Sequence, residues 1–150
     1  MQEILQKLCE RFPAALGAAV CDSEGESIDI ALGSGHFPEA SLKRVESSFP
    51  LQYNRASWTE EKTRMFALRQ WAAEPSRSTG LVNRAYEFAG DFQILDIFSI
   101  RSQALDLVVG VMEDHMYLVL VLARPNLNAL AQRAVRESKE QLNRHFAQIS

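Results

Sequence analysis

Residues 113–122 read EDHMYLVLVL, and the stretch around them decides the fold. Three polar residues, Glu113, Asp114 and His115, give way to an apolar run that continues unbroken from Met116 to Ala123. That is the pattern of a turn feeding a strand covered on both faces. Upstream, Ala104–Met112 is a second β-type run. Arg101-Ser102-Gln103 separates it from a third, Phe92–Ile100, which is rich in Phe and Ile and interrupted by Asp96. Three such runs joined by short polar turns predict an antiparallel meander. Downstream, Arg124-Pro125-Asn126 breaks the sheet. Leu127, Leu130, Ala131, Ala134, Val135, Ser138, Leu142 and Phe146 then hold a helical period, with Asn126 as the expected cap. Arg133–Glu137, Arg136–Glu140 and Glu140–Arg144 stand i,i+4 on the polar side, each pair contributing about 0.2–0.5 kcal/mol. Arg133, Arg136, Lys139 and Arg144 are expected to form a solvated basic face.

The first half is built differently. Ile4, Leu5, Leu8 and Phe12 are spaced for a helix that Pro13 ends. Ala15–Cys21 is small and apolar, as for a doubly covered strand. Asp22-Ser23-Glu24-Gly25 is a turn, and Ser27–Leu32 alternates with Ile28, Ile30 and Leu32 on one side and Asp29 on the other. The two strands form a hairpin closed by Gly33-Ser34-Gly35. A short helix is expected over Ala40–Ser48. Ser57-Trp58-Thr59-Glu60 fits a capping box for a second, with Met65, Leu68 and Ala72 as its apolar stripe and its end at Pro75-Ser76. A third starts at Thr79, carries Leu81, Val82, Ala85, Tyr86 and Ala89, and ends at Gly90.

Composition narrows the function. The chain has 150 residues, 47% hydrophobic and 23% charged, the balance of one globular domain. A net charge of −3 and no basic tract exclude the electrostatic footprint of a nucleic-acid binder. No apolar run approaches the roughly 20 residues a membrane span needs, and Met1–Phe12 carries Glu3, Lys7, Glu10 and Arg11, unlike a signal peptide. Cys9 and Cys21 read as free thiols of a reducing, cytoplasmic compartment. No P-loop is present: Gly33-Ser34-Gly35 is followed by His36 and Phe37 rather than a lysine. His36, His115 and His145 are scattered and neither cysteine belongs to a Cys-x-x-Cys pair, so no metal site is expected. Cys21 with a histidine is the only nucleophile–base pair to weigh, and its neighbours Ala19 and Val20 favour a buried structural thiol. No catalytic residue and no cofactor is expected.

The order helix, two strands, helical middle, three strands, helix resembles the Roadblock/LC7 family. Two stretches carry the likeness: residues 1–33, with LGAAVCDSEGESIDIALG, and residues 77–146, with YEFAGDFQILDIFSIRSQALDLVVGVMEDHMYLVLVLARPNLNALAQRAVRESKEQL. The resemblance implies an α+β domain, α-β-β-α-β-β-β-α, with a five-stranded antiparallel sheet, one helix on one face and two on the other. The stretch around residues 36–76 departs from the family as a helical insertion, within what reads as a single domain over 1–150; the capped segment beginning near Ser57 is either an extended central helix or an added helix packed on the common core. The family implies dimers built through the central helix and the edge strand after it, and no chemistry of its own. Its members act as scaffolds and regulators, often for Ras-like small GTPases, and those of the MglB type pair with a Ras-like polarity or motility GTPase.

On that resemblance the expected partners are a second copy of the chain and a Ras-like small GTPase. The homodimer seam is expected to hold Val82, Tyr86, Phe92, Ile94, Asp96, Ile97 and Phe98. Asp96 reads either as an edge-strand charge that selects the partner or as a strand-end carboxylate facing water. Arg55, Trp58, Arg64 and Trp71, with Tyr53, read either as an aromatic–basic partner surface or as packing of the inserted helix. The competing function is a stand-alone ligand-sensing module resembling PAS or GAF domains, which requires an enclosed apolar cavity.

Overall fold

The computed structural model describes residues 1–47, 59–89, 96–126 and 128–149, and of residues 46 and 85–89 the backbone only. Its elements run α1 (Gln2–Glu10), β1 (Ala15–Asp22), β2 (Ser27–Leu32), α2 (Glu39–Ser47), α3 (Glu60–Ala89), β3 (Ile97–Arg101), β4 (Leu105–Val111), β5 (Met116–Ala123) and α4 (Asn128–Ile149). The five strands form one antiparallel sheet in the order β2-β1-β5-β4-β3. The two strands read as doubly covered, β1 and β5, lie at its centre and the two edges are β2 and β3.

Each face of the sheet has its own core. Ala18 and Val20 of β1, Val108 of β4, and Leu118, Leu120 and Leu122 of β5 point to Leu5 and Leu8 of α1 and to Ala134, Val135 and Leu142 of α4. On the other face, Ala19 and Cys21 of β1, Ile30 of β2 and Val119 and Val121 of β5 meet Ala67, Leu68 and Ala72 of α3. Phe37 and Val45 join this second core from α2 and the segment before it. The architecture is thus the one expected, with α1 and α4 on one side and α3 on the other, flanked by α2.

The β1–β2 turn forms as read. Gly25 has φ of +85°, and the Asp22 carboxylate accepts the N–H groups of Glu24 and Glu26 at 2.9 and 3.0 Å. The strand after it departs from plain alternation. Val20 pairs with Asp29 but Cys21 pairs with Ser27, so Ile28 is an extra residue on β2, a bulge, and it is 47% exposed.

The helical middle corrects the separate helices read up to Pro75-Ser76 and from Thr79, and agrees with the alternative of an extended central helix. α3 is one helix of 30 residues with Pro75 inside it. The hydroxyl of Ser76 donates to the Ala72 carbonyl at 2.8 Å and that of Thr79 to the Pro75 carbonyl at 2.6 Å. Both side chains bond within the helix, so Thr79 starts nothing. Ser57 and Trp58 lie outside the described residues. The hydroxyl that caps α3 is that of Thr59, which accepts the N–H of Lys62 at 3.2 Å.

Two expectations at α4 are also corrected. Asn126 does not cap it: its amide N–H2 donates to the Asp106 carboxylate at 2.8 Å and to the Ala123 carbonyl at 3.3 Å, while among the described residues its oxygen accepts from none. Asp106, fully buried, has Arg101 and Arg124 beside it at 3.5 and 3.7 Å, so its charge outcompetes a helix end for the amide. On the polar side of α4, Arg133 reaches Glu137 at 3.4 Å, and Glu137 also accepts from Arg11, the residue that follows α1, at 2.8 Å. Among the described residues the Arg136–Glu140 and Glu140–Arg144 pairs are not closed.

Candidate functional site

The site is the outer third of the sheet, where β3 ends it. α3 crosses over β1, β2 and β5, leaving the same face of β4 and β3 less covered. Phe98 and Ile100 of β3 and Leu107 of β4 point to this face, with Ile100 directly paired to Leu107. Together with Gln70, Trp71, Glu74, Pro75, Ser78 and Thr79 of α3 they line an open groove of about 390 Å³. Trp71, Pro75 and Ser78 follow one another at helical spacing along its wall, and Val82, 39% exposed, is the next residue on that stripe. Leu81 beside it is 67% exposed. A groove of about 690 Å³ continues past Trp71 and Leu107, bounded by α2 at Ala40, Ser41 and Arg44 and by the β3–β4 turn.

The free edge of β3 has a definite parity. The Val111 N–H donates to the Asp96 carbonyl at 2.7 Å and the Ser102 N–H to the Leu105 carbonyl at 2.9 Å. With Phe98 opposite Val109 and Ile100 opposite Leu107, these bonds fix the alternation of the antiparallel pair. Phe98 and Ile100 turn their backbone groups inward to β4. Ile97, Ser99 and Arg101 turn theirs outward. Their side chains lie on the α4 face: the Ser99 hydroxyl donates to Asn128 Oδ1 at 3.0 Å and accepts from Gln132 Nε2 at 2.8 Å, and Arg101 leans on Asp106. Among the described residues, no side chain bonds the three outward N–H groups.

The start of this strand is pinned from below. Lys139, expected on the solvated face of α4, is only 8% exposed. Its ammonium pairs with the Asp96 carboxylate and donates to the carbonyls of Val111 at 3.1 Å and Asp96 at 3.5 Å. Burial lowers the lysine's pKa. Asp96 is therefore an exposed strand-end carboxylate with a fixed cationic partner.

Of the expected seam residues, Phe98 lines the groove, Ile97 and Asp96 stand at the edge, and Val82 is exposed on α3 one turn beyond the groove residue Ser78. Phe92 and Ile94 lie outside the described residues, as does the side chain of Tyr86; the described part of the strand expected over Phe92–Ile100 begins at Ile97. Arg55 and Trp58 of the expected partner surface are also outside. Arg64 and Trp71 are placed, and they hold α3 to the segment before α2. Trp71 stacks on Phe37 with ring centres 5.8 Å apart, Arg64 sits 5.4 Å over the same ring, and Arg64 also pairs with Glu60 at 2.5 Å. Ile100, Leu107 and Pro75 were missed as site residues. The signal for the first two was the period of two through Phe98 and Ile100, continued across the Arg101–Ala104 turn to Leu107.

Neither thiol is poised for chemistry. Burial pushes the Cys9 thiol from its ordinary 9.0 up to about 12, and raises that of Cys21 despite the hydroxyls of Ser76 and Ser27. A thiol held protonated is a poor nucleophile. Because the folded chain keeps a proton that the unfolded chain releases, stability is full below about pH 9 and falls as pH rises toward 12. The expected slope is about 1.4 kcal/mol per pH unit for Cys9. Urea titrations at pH 8 and pH 10.5 should show the loss in the parent and a smaller one in Cys9→Ala; equal losses would remove the thiol as the cause. Among the described residues no group of three His, Cys, Asp or Glu side chains is placed to hold a metal ion, and no helix is long and apolar enough to cross a membrane.

No protein-family model matches the chain, and no curated protein matches it in sequence. Solved structures do match it in shape. The Roadblock/LC7 domain from Streptomyces avermitilis superposes with a TM-score of 0.62 at 13% identity, covering 98% of each chain. Myxococcus xanthus MglB gives 0.61 at 12% identity over 98% of this chain and 94% of its own. MglC from the same organism gives 0.59 at 11% identity over 96% and 97%. The chain has the Roadblock/LC7 fold. A further structural neighbour, at TM-score 0.59, 13% identity and 95% and 84% coverage, is described as MglB with a tetrameric arrangement.

Proposed function

We propose that this chain is a non-enzymatic homodimeric regulator or scaffold that binds a small Ras-like GTPase in the cytoplasm. One observation carries the dimer: an apolar groove walled by Trp71, Pro75 and Phe98 lies beside a strand with three outward N–H groups that no side chain among the described residues bonds. An antiparallel strand from a second copy satisfies those groups and brings the second α3 over the groove, burying Val82 and Leu81 in the same step. The GTPase half rests on the Roadblock/LC7 and MglB likeness, a warrant from fold rather than from site chemistry. A regulatory role requires different affinities for the two nucleotide states, since a regulator shifts a switch only by that difference, whereas equal affinities leave a passive scaffold.

The test has two arms. Light scattering at micromolar concentration should give about twice the 16.9 kDa of one chain. Pull-downs with the GDP form and with a non-hydrolysable GTP analogue should capture a GTPase more strongly in one state. A monomer that captures no GTPase in either state sinks the proposal.

A further inference from the structure

A five-stranded sheet has two edges, and among the described residues the two differ in what their outward N–H groups meet. β2 is the other edge, and its outward groups follow from one bond: the Gly33 N–H donates to the Leu16 carbonyl at 2.9 Å. With Gly17 opposite Leu32 and Ala19 opposite Ile30, Ala31 and Asp29 turn their backbone groups inward to β1 while Ile30 and Leu32 turn theirs outward. The outward N–H of Ile30, the middle one of the strand, is already taken. It donates to Oδ1 of its own neighbour Asp29 at 2.9 Å. Just before it, the bulge at Ile28 breaks the register that an added strand needs. β3 has neither device: its register with β4 is regular, and Ser99 and Arg101 send their side chains to α4 and Asp106, away from the edge.

We propose that Asp29 is an edge guard: its carboxylate occupies the Ile30 N–H, which closes β2 to strand addition and confines self-association of this chain to β3. An incoming strand would have to offer a carbonyl to Ile30 against a carboxylate already bonded there. The like partial charges of the two oxygens oppose the exchange, and without it the new strand loses its central hydrogen bond. This inference rests on the β3 seam of the proposed dimer only for what remains after β2 is closed.

The decisive variant is Asp29→Val, which frees the Ile30 N–H and favours strand conformation. Its mass by light scattering is expected to rise with concentration to at least about twice that of the parent species. The Ile30 amide should become more protected from hydrogen exchange as concentration rises. Asp29→Asn keeps an oxygen acceptor and is expected to stay at the parent mass. A folded Asp29→Val that keeps the parent mass and the parent Ile30 exchange at every concentration overturns the guard, and so does Asp29→Asn associating as strongly as Asp29→Val. Should Asp29→Val not fold, Asp29→Ala is read by the same two measurements. The parent mass alone decides the β3 seam: a monomeric parent with an associating Asp29→Val removes the dimer and keeps the guard, and a dimeric parent with an unchanged variant does the reverse.

Discussion

Ile97→Pro is expected to leave a folded monomer where the parent chain is a dimer. The Ile97 backbone faces out of the sheet, because the Asp96 carbonyl bonds Val111 and the pairing of β3 with β4 alternates from there. Proline at this position removes no bond inside the protomer. It removes one donor at the seam and orphans the carbonyl it would have met. A two-fold interface carries every change twice. Two seam acceptors left without a donor, at about 1–3 kcal/mol each, weaken dimerisation by at least about thirtyfold. Ile97 is also packed at the margin of the α1–α4 core, so Ile97→Ala is the control: it loses the packing and keeps the N–H. Phe98→Pro is the opposite control, since the Phe98 N–H faces β4 and its loss should damage the fold itself. Sedimentation of the three variants gives the answer. Ile97→Pro and Ile97→Ala dissociating alike would mean that packing, and not strand pairing, holds the seam.

The elements legible in the sequence are those whose burial is nearly complete or strictly periodic. β1 and β5 are central strands with both faces covered, so their runs are apolar throughout and their bounds nearly coincide with Ala15–Cys21 and Met116–Ala123. α4 keeps one face inward for 22 residues, long enough for its period to show. α3 was hidden by Pro75, which reads as a stop. It continues because Ser76 and Thr79 bond back into the helix and because Pro75 and Ser76 are buried rather than exposed at a turn. Lys139 was misplaced by residue type. It stands four residues after Val135 and so belongs to the inward stripe, but its partner Asp96 is 43 residues away in sequence and no local pattern connects them. The β2 guard was invisible for a similar reason: alternation put Asp29 on the polar side, and only the folded strand brings its carboxylate onto the Ile30 N–H. Burial is written in the sequence as composition, whereas a hydrogen-bond partner is written nowhere locally.

Gly17→Ala is expected to destabilise the fold by about 2–3 kcal/mol, and the reason lies in how closely α3 approaches the sheet. A Cβ on Gly17 would stand 2.3 Å from Leu68 Cδ1, 3.0 Å from Leu68 Cδ2 and 2.7 Å from the Ala31 carbonyl oxygen. Leu68 is the only one of these that can yield, and it is itself fully buried in the α3 core. Alone, Leu68→Ala leaves a cavity and costs about 2–5 kcal/mol. Combined with Gly17→Ala, the new methyl enters the space the leucine vacates, so the two losses should not add. The double variant is expected to be at least about 1 kcal/mol more stable than the sum of the single changes. The Ala31 oxygen sets the limit of that rescue, because it belongs to the β1–β2 ladder and cannot move without opening it. Urea unfolding of the four proteins closes the cycle. Additive losses would show that the backbone contact with Ala31, rather than Leu68, makes glycine necessary at this crossing, and Leu68→Ala would then leave the cost of Gly17→Ala unchanged.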